Sequence, residues 1–380
     1  AISEREQLDS LLAAASDPNK IIVTQIAPAI RVAIAEELGL VTGELPMEQL
    51  VTALRRAGIH YVLHTNFTAD LTIMEEGNEL LKRVKQGGVL PMVTSCCPSW
   101  IRFAETFYPN CLDHLSTCKS PQQMFGALVK TYWAEQMDID PARIYSVSIM
   151  PCTAKKYEAL RPEMEDSGYR DVDLVLTTRE IVRLFKMMGI DPVKCEPSGF
   201  DPWMSEYSGA AVLFGTTGGV MEAALRTVYE VVSGDELDNI DFTVVRGMEG
   251  IREAEVDLNG QVLKVAVVHG LSNARYLMEQ VKAGKSPYHF IEVMACPGGC
   301  IGGGGQPFTT SNKKRGERNQ AIYAEDAGMA MRKSHQNSDV AKVYKEFLHE
   351  PLGALSHKFL HTDYEPVQSA IDSLLDDENI

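Results

Sequence analysis

The sequence predicts an α/β protein of two lobes, each a twisted and mostly parallel sheet flanked by helices, followed by a helical C-terminal segment. Three observations carry that prediction. Short β-branched runs alternate with helix-length amphipathic stretches, the pattern of parallel strands joined by crossover helices. Three of those runs, ending at Val93, Met150 and Met294, lead directly into cysteine-containing loops, and ligands collect where strand ends meet the following loops in such architectures. After Pro307 the texture turns polar, with Lys313, Lys314 and Arg315, and then helical. The expected divisions are an N-terminal helix over 1–20, a first lobe over 21–143, a second over 144–310 and a C-terminal segment over 311–380.

Leu8, Leu11 and Leu12 give the N-terminal stretch an apolar face that stops near Pro18. Residues 21–26 form a β-branched strand candidate, followed by A-P-A-I and a helix through Glu37. A short strand starts at Tyr61, a helix is expected over 71–85, and a strand over 90–93 runs into T-S-C-C-P. The next strand, 144–150, ends at P-C-T-A-K-K. Residues 174–177 and 179–188 read as strand then helix, and 215–226 as G-T-T-G-G opening a helix. Strands are expected over 242–246, 263–268 and 290–294.

The chain of 380 residues can bury a large core, and its 45% apolar and 23% charged content is ordinary for a globular protein. A net charge of −16, from 36 basic and 52 acidic residues, argues against nucleic acid as the main partner. Eight cysteines in this length are no disulfide scaffold, and they lack the C-x2-C pairs of most structural zinc modules. No apolar run reaches membrane-spanning length and no charged-then-apolar leader opens the chain, so a cytoplasmic or organelle-matrix location is expected.

The stretch M-A-C-P-G-G-C-I-G-G-G-G-Q-P, from Met294 to Pro307, sets Cys296 and Cys300 among six glycines. One helical turn would put both sulfurs on one side, with Pro297 at its first position. Glycine at this density belongs where main chain approaches something closely or takes up φ > 0, and here it leaves N–H groups free to face an inorganic ligand. Cys96 and Cys97 lie in T-S-C-C-P-S-W, and Cys152 in M-P-C-T-A-K-K-Y-E. Iron–sulfur clusters take four thiolates. One cysteine from each of these two motifs plus Cys296 and Cys300 makes four and leaves one of the adjacent pair over. Cys111, Cys118 and Cys195 sit in no comparable setting and read as small buried hydrophobes. Glu76, Glu79 and Arg83, at i, i+3 and i+7, share one helix face, which also suits an ordinary surface ion-pair face.

The three cysteine motifs, in this order, resemble the signatures of the iron-only (FeFe) hydrogenases. The resemblance runs from Gln25 to His361 and includes A-D-L-T-I-M-E-E-G, S-P-Q-Q, E-Y-S-G-A and G-G-V-M-E-A-A-L-R. It implies reversible interconversion of H2 with two protons and two electrons, exchanged with ferredoxin or a similar carrier. The implied cofactor is a 4Fe–4S cluster held by Cys97, Cys152, Cys296 and Cys300 in the cleft between the lobes. Cys300 would bridge it to a two-iron subsite carrying CO, cyanide and an azadithiolate, inserted by maturation proteins. By the same resemblance Lys155 would hydrogen-bond a cyanide with Glu158 behind it, and Ala27, Pro28, Gln122, Met150 and Met294 would line the subsite. Cys96 would relay protons through Glu76, Ser116, Glu79 and Arg83; a thiol, with a reference pKa of about 8.5, can release and regain a proton near neutrality.

No cysteine precedes Cys96, so the accessory clusters of longer relatives are not expected here and electrons would arrive directly from an external donor. The part from about Lys314 resembles a segment that is a separate small subunit in some relatives, while the acidic tail from Glu365 falls outside the resemblance. Two rival functions are a non-catalytic iron–sulfur assembly homologue and a hydrogen-sensing homologue. A scaffold has no use for Cys96, Lys155 and Glu76 as proton or cyanide partners, and a sensor usually adds signalling domains.

Overall fold

The computed structural model describes residues 4–237, 239–258, 260–308 and 311–367. The first of two four-stranded sheets has the order β2-β1-β4-β5, with β1 Ile21–Ile26, β2 Tyr61–His64, β4 Ile144–Met150 and β5 Leu174–Thr177, all parallel. The second has the order β3-β8-β7-β6, with β3 Met92–Val93, β6 Ile251–Leu258, β7 Gln261–His269 and β8 Phe290–Met294. It is parallel except for the antiparallel β6–β7 hairpin.

Both sheets are covered on two faces, which is why their strands, the edge strand β6 apart, are largely apolar. Along β1, Ile22 and Ile26 pack with Val62, Val147 and Ile149, while Val23 turns to the other side with Leu63, Phe67 and Phe125. In the second sheet Val265, Val267, Phe290 and Met294 share one core, and Ala266, Val268, Ile291 and Val293 the other. The period of two separates these sets, although Leu174, Val175 and Leu176 of β5 all join one core. Helix Thr178–Met188 shows the local logic of the crossovers. Thr177 Oγ1 accepts the Glu180 amide at 3.2 Å, the Glu180 carboxylate accepts the Thr177 amide at 2.7 Å, and Gly189 closes the far end at φ 65°.

Several expectations fail for physical reasons. The division 21–143 and 144–310 does not separate the lobes, because β3 joins the second sheet while β4 and β5 complete the first. Hydrophobic pattern cannot reveal which parallel strands pair. Residues 242–246 hold a 3-10 turn, Thr243–Val245, instead of a strand, and the strand missed there is β6. Its run I-R-E-A-E-V-D-L carries charge at every second position because it is an edge. The helix after G-T-T-G-G begins at Gly219. Cys296 and Cys300 are not on one α-helical turn: Gly298 and Gly299 take φ 81° and 86°, and only Cys300–Gly302 is helical, in 3-10 form. Residues 368–380 of the acidic tail lie outside the described residues.

The C-terminal segment is helical, with helices Asn312–Gly328, Ser338–Val343 and Ala354–Leu360. Buried polar bonds fasten it to both lobes. Arg318 bonds Glu36 at 2.6 Å and the Ile301 carbonyl at 2.7 Å, and Asn337 donates to buried Asp70 at 2.9 Å. Asp326 receives Arg226 at 2.8 and 2.9 Å and Arg332 at 2.5 Å, while Arg226 also holds Glu222 at 2.7 Å. Arg226, Glu222 and Asp326 are essentially unexposed, so removing the cation leaves buried Asp326 to Arg332 and buried Glu222 to Arg246, with the bonds that Arg226 makes between them lost. Arg226→Leu is expected to lower unfolding stability by about 3–5 kcal/mol, read as a shift in denaturant midpoint. A variant within experimental error of the wild type would show that water reaches the network.

Candidate metal centre

The carboxyl ends of strands from both sheets converge on one cavity. β1 delivers Ala27 and Pro28, β4 delivers Met150 and Cys152, β3 leads to Cys96 and Cys97, and β8 delivers Met294 and Cys296. Cys97 is the extended residue before helix Pro98–Phe107, with Pro98 in the first turn, where no N–H is needed.

The glycines bring the third cysteine loop in. A Cβ on Gly303 would sit 2.2 Å from the Pro151 carbonyl oxygen, and one on Gly299 2.6 Å from the Thr217 nitrogen. Main chain therefore rests on main chain, and the Gly305 amide donates to the Pro151 carbonyl at 2.8 Å. Glycine is required mainly by neighbouring backbone, correcting the expectation that its N–H groups stand free for a ligand. One does face a sulfur: the Gly304 amide is directed at Cys296.

Cys97, Cys152, Cys296 and Cys300 all line this cavity, as do Cys96, Gln122 and Lys155. Burial and the neighbouring sulfurs push the Cys152 thiol up to about 11, Cys296 up to about 12 and Cys300 well above its ordinary value. Such a set resists ionisation unless positive charge enters among the sulfurs. Amide donors are already placed for the charged form: Ala295 toward Cys97 at 3.5 Å, and Ala154 and Lys155 toward Cys152. Among the described residues, the groups of three or more ligand atoms lying mutually within 4.8 Å do not include these thiols. No three of them lie as close together as that, and four thiolates are the ligand set of an iron–sulfur cluster.

Lys155 points its ammonium at the Cys96 carbonyl, 2.9 Å away, and at Glu158, also 2.9 Å. The Glu158 carboxylate and nearby sulfurs outweigh burial and raise the lysine above its ordinary value. Glu158 does not line the cavity; it sits behind Lys155 and also accepts Ser120 and Gln122, at 2.9 and 3.0 Å. Lys156, by contrast, turns away to Glu180. Gln122 leaves its Oε1 buried and without a partner among the described residues.

Glu76 and Glu79 are buried, so the surface ion-pair alternative fails; only Arg83 reaches the outside. Arg83 bonds Glu79 at 2.6 Å and the Leu115 carbonyl at 2.7 Å. Ser116 stands between the carboxylates, donating to Glu79 at 3.0 Å and also bonding toward Glu76. Burial, then the Glu79 charge, raises Glu76 to about 8. Burial and the nearby Glu76 push the Cys96 thiol well up, so both groups hold protons at neutrality. Cys111, Cys118 and Cys195 are buried away from the cavity.

Phe214, Thr65 and Pro121 also line the cavity, and sequence reasoning missed them because nothing separates them from core residues. It also missed Glu292, buried in β8 and capping helix Gly219–Ser233 through the Gly218 and Met221 amides at 2.6 and 2.7 Å. The acid inside F-I-E-V-M was its signal.

Residues 20–304 match the family model described as iron only hydrogenase large subunit, C-terminal domain. The chain belongs to the iron-only hydrogenase family. Residues 312–367 match the iron hydrogenase small subunit, so both parts lie in one chain. It is 47% identical over 96% of its length to a subunit of the NADP-reducing hydrogenase of Solidesulfovibrio fructosivorans, and 43% identical over 96% to iron hydrogenase 1 of Clostridium pasteurianum. It spans 63% and 64% of those relatives. A cytosolic Fe–S cluster assembly factor of Danio rerio is 32% identical over 94% of this chain and 90% of its own. An apo FeFe-hydrogenase variant from Chlamydomonas reinhardtii superposes with a TM-score of 0.85 at 42% identity, covering 95% of this chain and 99% of that one. The α/β fold and C-terminal helical segment are those of this family.

The raised Glu76 carboxyl makes stability pH-dependent. The unfolded chain loses this proton near the ordinary 4.5 and the folded chain near 8, so the folded state binds more protons between those values and stability falls as pH rises through them. Glu76→Gln is expected to remove up to ~1.4 kcal/mol per pH unit of that decline. Unfolding midpoints of both proteins from pH 5 to about 8 measure it, and parallel curves would reject a buried protonated Glu76.

Proposed function

We propose that the chain is a hydrogenase interconverting H2 with two protons and two electrons. The carrying observation is that one cavity joins four thiols to a fifth, Cys96, that opens a line of buried acids. When bound, a 4Fe–4S cluster with a two-iron subsite carrying CO, cyanide and an azadithiolate supplies the redox and H2-splitting chemistry.

The chain's residues have separate tasks. Cys97, Cys152, Cys296 and Cys300 would hold the cofactor. Met150, Met294, Ala27 and Pro28 keep the cavity wall apolar and dry. Lys155, fixed by Glu158, offers an ammonium donor to an anionic ligand in a pocket where an unpaired charge is costly. Gln122 offers a polar contact beside it. Cys96 moves the proton between the cavity and Glu76, and Ser116 passes it to Glu79, where Arg83 marks the outer end. Electrons come from ferredoxin or a similar carrier, subsite insertion falls to maturation proteins, and the setting is cytoplasm or an anaerobic organelle matrix.

The assembly-factor relative keeps a second function in play, cluster handling without turnover. Cys96, Lys155 and Glu76 arranged as donor and relay favour the hydrogenase. With the two-iron subsite inserted, H2 evolution from reduced viologen is expected. Cys96→Ala should keep its iron yet lose at least about 100-fold in turnover, whereas Cys152→Ala or Cys296→Ala should lose iron itself. Iron analysis and infrared bands of CO and cyanide, run beside the gas assay, separate these outcomes. A fully loaded protein without turnover would decide for cluster handling.

A further inference from the structure

Glu79 has partners that the line from Cys96 to Arg83 does not use. Thr117 donates to its Oε2 from the amide at 3.1 Å and from the hydroxyl at 3.2 Å. The same hydroxyl lies 2.7 Å from Nδ1 of His361, in the C-terminal segment. Nε2 of that ring is 3.0 Å from Oε2 of Glu75. Thr117 and His361 both border a broad surface groove, together with His357 and Lys358. Hydrogen bonds therefore run from the buried carboxylate to an open face.

We infer that Thr117 and His361 form a second proton branch joining Glu79 to this groove, an inference that rests on the hydrogenase function proposed above. The Thr117 hydroxyl has one proton and two acceptors within reach. With His361 neutral and its Nε2–H on Glu75, the Nδ1 lone pair takes the Thr117 hydroxyl, and Glu79 keeps Ser116 and the Thr117 amide. With His361 protonated, Nδ1–H donates to the Thr117 oxygen and the hydroxyl turns to Glu79. Transfer is complete when Thr117 gives its proton to Glu79 Oε2 while receiving the Nδ1 proton. That leaves a neutral imidazole and a protonated Glu79, with only O–H and N–H bonds changed and no electron moved. Rotation of the Thr117 hydroxyl away from the ring then frees the Nδ1 lone pair, which takes the next proton from groove water.

The groups facing His361 set its charge. Glu75 and Glu79 approach from helix Asn66–Gln86, and Tyr344 donates to Glu75 at 2.5 Å. His357 stands beside the ring, with centroids 4.5 Å apart, and Lys82 faces His357 in turn. Cys118 lies in the same cluster, but burial and the surrounding acids keep its thiol protonated, so it adds no charge.

Thr117→Val removes the hydroxyl and keeps the amide; His361→Gln keeps a donor for Glu75 and cannot titrate. Full-length protein without the subsite gives the first readout, the infrared band of protonated carboxyls followed against pH. Both variants are expected to move its midpoint by about half a pH unit, and Thr117→Ser to restore it. In the loaded protein, viologen-driven turnover should drop about tenfold. Imidazole in the buffer should return most of the His361→Ala loss and none of the Thr117→Val loss. Wild-type carboxyl titration together with unchanged turnover in both variants overturns the branch. So does a turnover loss with unmoved titration and no imidazole rescue, which marks a structural role. Loaded wild type that evolves no H2 defeats the hydrogenase function instead, and the carboxyl titration still decides the coupling.

Discussion

Thiols gathered in one cavity with mostly apolar walls resist ionising together unless positive charge lies among them. Burial penalises the thiolates of Cys152, Cys296 and Cys300, and neighbouring sulfurs that ionise raise the cost further. The site thereby selects its occupant by charge as much as by shape. It favours a unit able to take several thiolates at once, as an iron–sulfur cluster does. Amides from Ala154, Lys155, Ala295 and Gly304 already point at sulfurs. The protein thus holds the ligand set in the geometry of its charged state.

That arrangement explains the interleaved topology. A single parallel sheet offers strand ends along one edge, and loops from that edge approach a ligand from one side. Here β4 of the first sheet and β3 and β8 of the second each end at a cysteine loop, so the thiols come from two separate sheets. The glycine-rich loop must then pass between loops already close-packed. Side chains at Gly299 or Gly303 would collide with backbone belonging to the 216–217 turn and to Pro151. Glycine here serves the convergence of the loops, and the sulfurs follow.

The sequence made legible what depends on local pattern. The strand runs, the helix carrying Glu76, Glu79 and Arg83, and the cysteine motifs were all readable, because periodicity and motif order are local properties. Strand pairing was not, since β3, only two residues long, carries no sign of which sheet it joins. β6 escaped because an edge strand with Glu253, Glu255 and Asp257 facing outward has the composition of a loop. The conformation at Cys296 was misread because C-P-G-G-C has helical spacing, while Gly298 and Gly299 take positive φ to clear their neighbours. Burial was the other hidden quantity. Glu76 and Glu79 look like any charged helix face until the C-terminal segment and the 115–118 loop are laid over them.

Adjacent residues on that helix show how the fold sets proton affinity. Glu75 and Glu76 differ in sequence position by one and in direction by about 100°. Glu75 meets the C-terminal segment, where Tyr344, the Leu352 amide and His361 supply donors at 2.5, 2.8 and 3.0 Å. Those donors outweigh its burial and hold its carboxyl below the ordinary value. Glu76 meets the interior beside Glu79, gains only partial relief from Ser116 and more distant Arg83, and is pushed up to about 8. One carboxylate is kept as a fixed charge and the other as a proton store. The difference comes from what packs against each face of a single helix. The small-subunit-like segment is therefore part of the electrostatic design: without its donors Glu75 would be a second buried acid, and no imidazole would stand between Glu75 and Thr117.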